Sequence, residues 1–354
     1  MSFSYFSCLL LKSIILLLIT SKSESSSGTS YWCSFPVNKM GRAEAPSCIV
    51  YIIPLLWFLA GILLVAIGIF HLQAAHKVVE IVKEYDTVCI PPGFRGRPIE
   101  FIQDSYSNKT CSIVFQIPKQ MKAPVYVYYQ LDNYHQNHKR YATSKSERQL
   151  FGEKKNTHGC KPEKEIKDYP IVPCGLIAWS LFNDTYQFYL NDMLLDVNTK
   201  NISWKSDREK RFGSTIFPQN FQSGGKVGGA TLDPHKPLSE QEALMVWMRL
   251  APLPTFRKIF GRIETDLEPE SKITVVIQNN YNTYSFKGKK KLVLSTATWI
   301  GGKNYFLGAA YVVVGGVCCI LGIVFGIMIF LVKPRPLGDP AYFSWNKNAA
   351  GHSD

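Results

Sequence analysis

Four cysteines lie in the long polar middle of the sequence and have the residue type and number to form two disulfides. They are Cys89, Cys111, Cys160 and Cys174. Four cysteines allow three pairings, and we favour Cys89–Cys111 and Cys160–Cys174 because these pairs are nearest in sequence. A zinc site is the alternative chemistry, but neither a CxxC nor an HxxxH spacing supports it. The sequence therefore predicts two structural disulfides.

Three asparagines in the same region have the spacing of N-glycosylation sites. The sequons are Asn108-Lys-Thr, Asn183-Asp-Thr and Asn201-Ile-Ser. One sequon arises easily by chance. Three sequons and an even number of cysteines in one stretch of chain together indicate a domain on the lumenal or extracellular side of a membrane.

The side-chain patterns typical of enzymes are missing from the sequence. It contains no G-x-S-x-G, no H-E-x-x-H and no plausible acid pair on one element. Lys226 in QSGGKVGGA is followed by valine, which excludes a phosphate loop. His135 and His138 have no Asp, Glu or Cys cluster nearby, and we interpret them as surface or strand-end residues. We expect no catalytic residue, no cofactor and no metal.

Two long apolar stretches must position this middle region. Ile49–Phe70 and Phe306–Val332 each exceed the roughly 20 residues needed to cross a hydrocarbon core of about 30 Å, and in lipid they must be helical. Cys318, Gly322 and Gly326 recur every four residues in the second stretch. They would line one face, where small residues let another helix approach closely. The alternative is that they are merely the small residues common in membrane spans.

These stretches divide the 354 residues into five parts. The parts are a divergent N-terminal segment (1–48) expected in the cytosol, a first span (49–70), an ectodomain (71–305), a second span (306–332) and a cytosolic tail (333–354). Met1–Thr20 resembles the core of a signal peptide but lacks a basic n-region. A cleaved signal would reverse the orientation, and the sequence leaves this open.

The predicted elements of the ectodomain are mostly β-strands. The strands are expected at Ser112–Ile117, Val125–Leu131, Leu176–Phe182, Ile273–Gln278 and Lys291–Thr296. No strand–helix alternation appears, so the sheet should be antiparallel. Ser239 and Glu242 have the spacing of a capping box for a helix over Glu240–Leu250. Thr255–Ile263 places its apolar residues on one helical face. The predicted fold is two transmembrane helices flanking a mainly antiparallel, sandwich-like lumenal or extracellular domain with short helices.

The chain is strongly basic, with a net charge of +13 and a pI of 9.2. A basic balance can indicate nucleic acid, but two membrane spans argue against that partner. Lipid headgroups or an acidic partner surface are the more plausible counterparts of this charge.

Several long motifs resemble those of a known family. They are YYQLDNYHQNHKRY (Tyr128–Tyr141), PCGLIAWSLFNDT (Pro173–Thr185), VWMR with LPTFRK (Val246–Arg249 and Leu253–Lys258), and LST, WIGGKN and FLG between Leu294 and Gly308. These motifs resemble those of the accessory subunits of type IV P-type ATPases, the lipid flippases. The wording is most similar to the plant branch, the ALA-interacting subunits, and includes the tail LVKPRPLGDPAYFSWN.

The resemblance implies two spans with both termini in the cytosol, a glycosylated and disulfide-bonded ectodomain built around an antiparallel β-sandwich, and no catalysis. It implies a type IV P-type ATPase α subunit as partner, besides membrane lipids. The subunit would carry the pump out of the endoplasmic reticulum and support its transport cycle. It would reside in the endoplasmic reticulum, Golgi, endosomal or prevacuolar compartment, or plasma membrane. Two departures stand out: Leu250-Ala-Pro252 replaces the usual Thr-Ala-Ala, and Met1–Ser47 lacks the family's approach to the first span.

Two other classes of function share parts of this architecture. Trimeric ligand-gated channels also have two spans around a disulfide-bonded ectodomain, but a water-filled pore needs polar residues along one face of a span. The two stretches offer no ionisable side chain of that kind except tyrosine. A membrane-anchored lumenal enzyme is disfavoured because the sequence lacks a catalytic constellation.

Overall fold

The structure is a computed structural model that describes residues 47–104, 106–223 and 228–331. Nearly all of the predicted N-terminal segment and the whole predicted tail lie outside these residues. The described residues form two compact units. One, here called the membrane unit, comprises residues 47–66 and 312–331. The other, here called the central domain, comprises residues 67–311.

Two long helices and a central β domain make up the described residues. The helices are α1 Ser47–Lys77, α2 Pro98–Gln103, α3 Lys139–Ala142, α4 Glu147–Phe151, α5 Leu176–Trp179, α6 Lys205–Lys210, α7 Glu242–Met248 and α8 Tyr305–Leu331. The strands are β1 Glu80–Glu84, β2 Thr110–Gln116, β3 Val125–Asp132, β4 Glu165–Ile166, β5 Tyr169–Pro170, β6 Thr185–Leu190, β7 Met193–Leu195, β8 Phe256–Ile263, β9 Lys272–Gln278 and β10 Lys289–Ser295. Both α1 and α8 are long and apolar enough to cross a membrane.

The strands form two four-stranded sheets and one small hairpin. The strand orders are β1-β10-β3-β8 and β2-β9-β6-β7, and β4 pairs with β5. Every pairing is antiparallel. The predicted fold class, two apolar helices flanking a mainly antiparallel β domain with short helices, is therefore confirmed.

The core lies between the inner faces of the two sheets. Val125, Val127, Tyr129 and Leu131 are buried at alternate positions of β3, as the period of a strand requires. Alternate residues of the opposite sheet meet them in one apolar cluster; they include Ile113, Phe115, Phe188, Ile273, Val275 and Ile277. Packing of two inner faces in this way is the arrangement of a β-sandwich.

The predicted strand at Leu176–Phe182 is wrong, because the chain forms the single helical turn α5 there. Gly175 precedes it with φ at +99°, a left-handed conformation that glycine adopts without strain. The Oγ of Ser144 accepts the first free amide, that of Leu176, at 2.9 Å. A long-range hydrogen bond thus supports the turn, and the strand propensity of the Leu, Ile and Trp side chains is overridden.

The predicted helical turn at Thr255–Ile263 is also wrong, because these residues form β8. The register against β3 skips Phe260, so Tyr128 pairs with Ile259 and Val127 with Gly261. A β-bulge adds one residue and exchanges the two faces of the strand. Positions 256 and 258 are buried before the bulge, and positions 261 and 263 after it. The buried positions thus change from even to odd numbers at the bulge, and the apolar residues of the strand acquire a spacing that resembles that of a helix.

The predicted capping box does not form. Leu238–Glu240 is a 3-10 turn, and α7 begins only at Glu242. The Glu242 carboxylate accepts hydrogen bonds from the backbone amides of Asn201 and Ser203, both at 2.8 Å. The carboxylate therefore stabilises a distant loop and not the start of its own helix.

Candidate functional site

The central domain contains two disulfides. Cys89, which follows β1, is bonded to Cys111 in β2, with 5.3 Å between their Cα atoms. The bond joins the edge strand of one sheet to the edge strand of the other. Cys160 is bonded to Cys174 across 14 residues, with 5.6 Å between Cα atoms, and the two are buried. Both pairs are those that the sequence favoured.

The three sequon asparagines occupy different environments. Asn108 and Asn201 are exposed. The Oδ1 of Asn108 accepts the amide of Thr110 at 2.9 Å, and Asn201 has a left-handed φ of +58°. Asn183 is half-buried, and its Oδ1 is buried without a hydrogen-bond partner. Glycosylation at all three positions stays a prediction.

Glycines form a close contact between the two helices of the membrane unit. A Cβ added to Gly315 would lie 2.8 Å from the carbonyl oxygen of Gly61, and one added to Gly61 would lie 2.7 Å from that of Gly315. A Cβ on Gly322 would lie 2.9 Å from the carbonyl oxygen of Pro54. Gly322 therefore packs against the chain's own first helix.

The other two residues of the predicted small face differ from Gly322. A Cβ on Gly326 would meet nothing within 4 Å, and Cys318 is a half-buried free thiol. The predictions from the sequence did not include Gly61 or Gly315. A seven-residue spacing could have identified them, because it relates three buried residues on each helix: Gly308, Gly315 and Gly322 on α8, and Pro54, Gly61 and Gly68 on α1. A seven-residue repeat is typical of two helices that pack along a continuous seam.

A buried ion pair links the two sheets of the central domain. The Nζ of Lys290 in β10 lies 2.8 Å from the Oδ2 of Asp184, just before β6, and both side chains are fully buried. Lys290 also donates to Asn279 Oδ1 and to the carbonyl oxygen of Tyr281. Burial lowers the pKa of Lys290, and the nearby carboxylate of Asp184 opposes that shift. The predictions from the sequence did not include this ion pair.

Two tyrosines complete the hydrogen bonds of this pair. The Oη of Tyr85 donates to Asp184 Oδ2 at 2.7 Å and lies 2.8 Å from the Oη of Tyr186. Burial and the adjacent carboxylate raise the pKa values of both tyrosines well above the usual range. Both hydroxyls therefore stay protonated, so that the carboxylate retains its hydrogen-bond donor.

An aromatic cluster brings three of the sequence motifs together. The ring of Tyr134, in the first motif, contacts five others within 6.4 Å: Tyr141, Trp247, Phe256, Tyr281 and Phe286. Trp247, in the third motif, donates from Nε1 to the carbonyl oxygen of Ile177, in the second motif, at 2.9 Å. These residues of the three motifs thus build a packed core.

The histidines lie apart from any candidate metal ligands. Within residues 47–104, 106–223 and 228–331, no group of three or more His, Cys, Asp or Glu side chains could hold a metal ion. His135 and His138 lie in the turn that precedes α3, and each backbone carbonyl accepts a local amide hydrogen bond.

Residues 71–336 match the model of the LEM3 (ligand-effect modulator 3) family, also called the CDC50 family. The chain belongs to this family. Among its relatives is ALA-interacting subunit 3 of Arabidopsis thaliana, 54% identical over 321 residues, which cover 89% of this chain and 91% of the relative. Cell cycle control protein 50A of Mus musculus is 33% identical over 300 residues, covering 76% and 80% of the two chains. Phospholipid-transporting ATPase accessory subunit CDC50 of Chaetomium thermophilum is 30% identical over 283 residues, covering 73% and 69%.

The CDC50 family match covers the whole central domain and α8. It begins at His71, within α1, and so includes both disulfides, the Asp184–Lys290 pair and the aromatic cluster. The earlier part of α1, with Pro54 and Gly61, lies outside the matched residues. The central domain is therefore the family's own fold.

Proposed function

We propose that this membrane protein is a non-catalytic accessory subunit of a phospholipid-translocating type IV P-type ATPase. In this role it carries the ATPase out of the endoplasmic reticulum and supports lipid flipping. The observation that carries the proposal is membership of the CDC50 family, in which relatives covering most of this chain are named as ALA-interacting or phospholipid-transporting ATPase accessory subunits.

The use of the polar groups agrees with a structural role. The side chains of Asp184 and Lys290 are fully buried charges that pair with each other. The motif residues Tyr134 and Trp247 pack against aromatic rings. An accessory subunit needs a rigid shape for docking, and buried, satisfied polar networks supply rigidity.

The orientation follows from the same proposal. Both termini lie in the cytosol, and the central domain lies in the lumen, where it carries glycans at Asn108, Asn183 and Asn201. Resident membranes are those of the secretory pathway: the endoplasmic reticulum and Golgi, with the endosomal or prevacuolar and plasma membranes as further stations. Glycosidase treatment of protein from eukaryotic cells should increase its gel mobility, and an unchanged band would contradict this orientation.

The membrane contact with the pump is proposed for the open side of α8. Gly322 is already covered by α1, whereas Gly326 leaves room for a helix of the ATPase, and Cys318 is half-buried. Gly326→Leu should reduce co-purification of the pump in mild detergent while leaving the subunit folded. Gly316→Leu is the matched control, since Gly316 is equally open but lies more than two helical turns away. Full retention of the complex by Gly326→Leu would exclude this face.

Lipid uptake tests the function itself. Flippase-deficient cells would receive the ATPase alone, this chain alone, or both, and uptake of a fluorescent phospholipid would be measured. We expect uptake only with both, together with movement of the ATPase out of the endoplasmic reticulum. Uptake with this chain alone would refute the accessory role.

A further inference from the structure

Four exposed aromatic residues, here called the aromatic collar, lie at the start of α8 and on the part of α1 that belongs to the central unit. They are Phe70, Trp299, Tyr305 and Phe306, with exposed fractions of 53%, 78%, 42% and 70%. Large apolar groups concentrated on one part of a surface usually mark a contact with a partner or a membrane. We therefore expect the collar to contact a partner or a membrane.

A closed turn holds the most exposed of these rings in place. The backbone of Thr298 and Gly301 exchanges two hydrogen bonds, of 2.9 and 2.8 Å, around Trp299. Gly301 has φ at +121°, a conformation that residues with a side chain rarely adopt. The ring of Phe70 lies 5.7 Å from that of Trp299. The turn and the helix together present the indole outward.

The two chain segments that carry the collar contain basic residues and no carboxylate. Residues 67–79 and 297–311 contain His71, His76, Lys77 and Lys303 and no Asp or Glu. The Nζ of Lys303 lies 5.7 Å from the centre of the Tyr305 ring. Aromatic rings beside ammonium groups, with no carboxylate, suit the boundary where acyl chains meet phosphates.

The length of α8 places the collar at that boundary. Its 27 residues extend about 40 Å at 1.5 Å per residue, whereas the hydrocarbon core is only about 30 Å thick. The helix is therefore long enough for residues at its ends to lie in the headgroup layers. Tyr305 and Phe306 begin the helix, and Trp299 precedes them closely.

Trp204 is another exposed tryptophan of the central domain and provides a comparison for Trp299. It is 66% exposed, but the guanidinium of Arg249 lies 5.0 Å from its ring. A polar partner of this kind suits a ring that faces water. The nearest aromatic partner of Trp299, in contrast, is the exposed and apolar Phe70.

We propose that the aromatic collar is a lipid-binding surface that lies in the interfacial layer of the bilayer leaflet on the side of the central domain. The rings occupy the level of the glycerol and carbonyl groups, and the Lys303 ammonium lies near the phosphates. The collar thereby sets the depth of α8 and holds the central domain against the leaflet. This proposal needs only a bilayer around α1 and α8 and does not depend on the proposed function.

Fluorescence quenching by brominated lipid tests the proposal. The full chain would be placed in phosphatidylcholine nanodiscs with bromine near either the glycerol end or the middle of the acyl chains. The signal of one tryptophan is the difference between the original chain and its Trp→Phe variant. We expect the Trp299 signal, from Trp299→Phe, to be quenched about twofold more by shallow than by deep bromine. The matched Trp204 signal, from Trp204→Phe, should be unaffected by either lipid.

Two results would overturn the proposal. A Trp299 signal as insensitive to bromine as that of Trp204 would place the collar in water. Loss of quenching when the ATPase is reconstituted together with the chain would assign the collar to a protein contact and not to lipid. Far-UV circular dichroism of each variant checks that the fold is retained.

Discussion

The membrane unit and the central domain are held together by opposite means. At the helix contact, Gly61, Gly315 and Gly322 bring backbones together because side chains are missing. In the central domain, large rings such as Trp247 and a charged pair fill the space between sheets. Lipid surrounds the first unit, so helix association there depends on close packing, whereas water drives apolar burial in the second. Added atoms should therefore damage the membrane unit, and removed atoms should damage the central domain.

The largest expected effect is loss of the buried lysine. Lys290→Met would leave Asp184 buried with an uncompensated charge, which costs about 3–5 kcal/mol of unfolding free energy. Thermal unfolding of the purified full chain measures the loss. Lys289→Met is the matched control, because Lys289 pairs with Glu84 at the surface and such pairs contribute about 0–1 kcal/mol. Equal melting temperatures for the two variants would mean that the buried pair does not stabilise the protein more than the surface pair does.

The second effect compares cysteines in the two units. Replacing both Cys160 and Cys174 with serine should cost about 3 kcal/mol, because their bond restrains a loop of about 15 residues in the unfolded chain. The variant should be retained in the endoplasmic reticulum. Replacing the free thiols Cys318 and Cys319 with alanine should leave trafficking unchanged. Normal trafficking of the Cys160 and Cys174 double variant would mean that the bond is not structural.

The third effect concerns adjacent glycines on α8. Gly315→Leu inserts a side chain against Gly61 and Val65 and should destabilise the helix pair by about 1–3 kcal/mol. Gly316→Leu points into open space and should be neutral. Size-exclusion chromatography after heating in detergent gives the temperature at which each variant loses its monodisperse peak. If Gly316→Leu is as harmful as Gly315→Leu, the helices pack through a different face.

The smallest effect is a response to acid that only the central domain should show. Hydrogen bonds from Arg211 lower the pKa of Glu147 from 4.5 to about 2. A carboxyl whose pKa is lowered by folding stabilises the protein above its unfolded pKa, and that stability is lost as pH falls from about 5 to about 2. The side chain is half exposed, so solvent screening limits the contribution to below about 1 kcal/mol.

Glu147→Gln should flatten this part of the acid response, measured as the urea midpoint at several pH values. The variant and the original chain should converge at the lowest pH, where the Glu147 carboxyl of the original chain is protonated and as uncharged as the glutamine amide. Parallel curves over the whole range would show that the Arg211 contact contributes no pH-dependent stability.

Local sequence patterns were sufficient to predict much of the fold. The apolar length of the two helices, the alternation in β3 and the nearness of the cysteine pairs each lie within a short segment. Such features depend on the period of the element or on chain connectivity, so a single sequence contains them. The same holds for the motifs that resemble the CDC50 family, because a motif is itself a local string.

The other features of the fold depend on contacts between residues that are distant in sequence. The bulge at Phe260 exists only against β3, and it gave a strand the spacing of a helix. Lys290 lies within KGKKK, and only its pairing with Asp184, more than a hundred residues away, distinguishes it from the exposed Lys287 and Lys289. Gly322 is covered because Pro54 lies opposite it. The sequence by itself determined most of the elements and their covalent links. Tertiary packing decided the element types of α5 and β8 and which charges and glycines became buried, because burial depends on what lies across the interface.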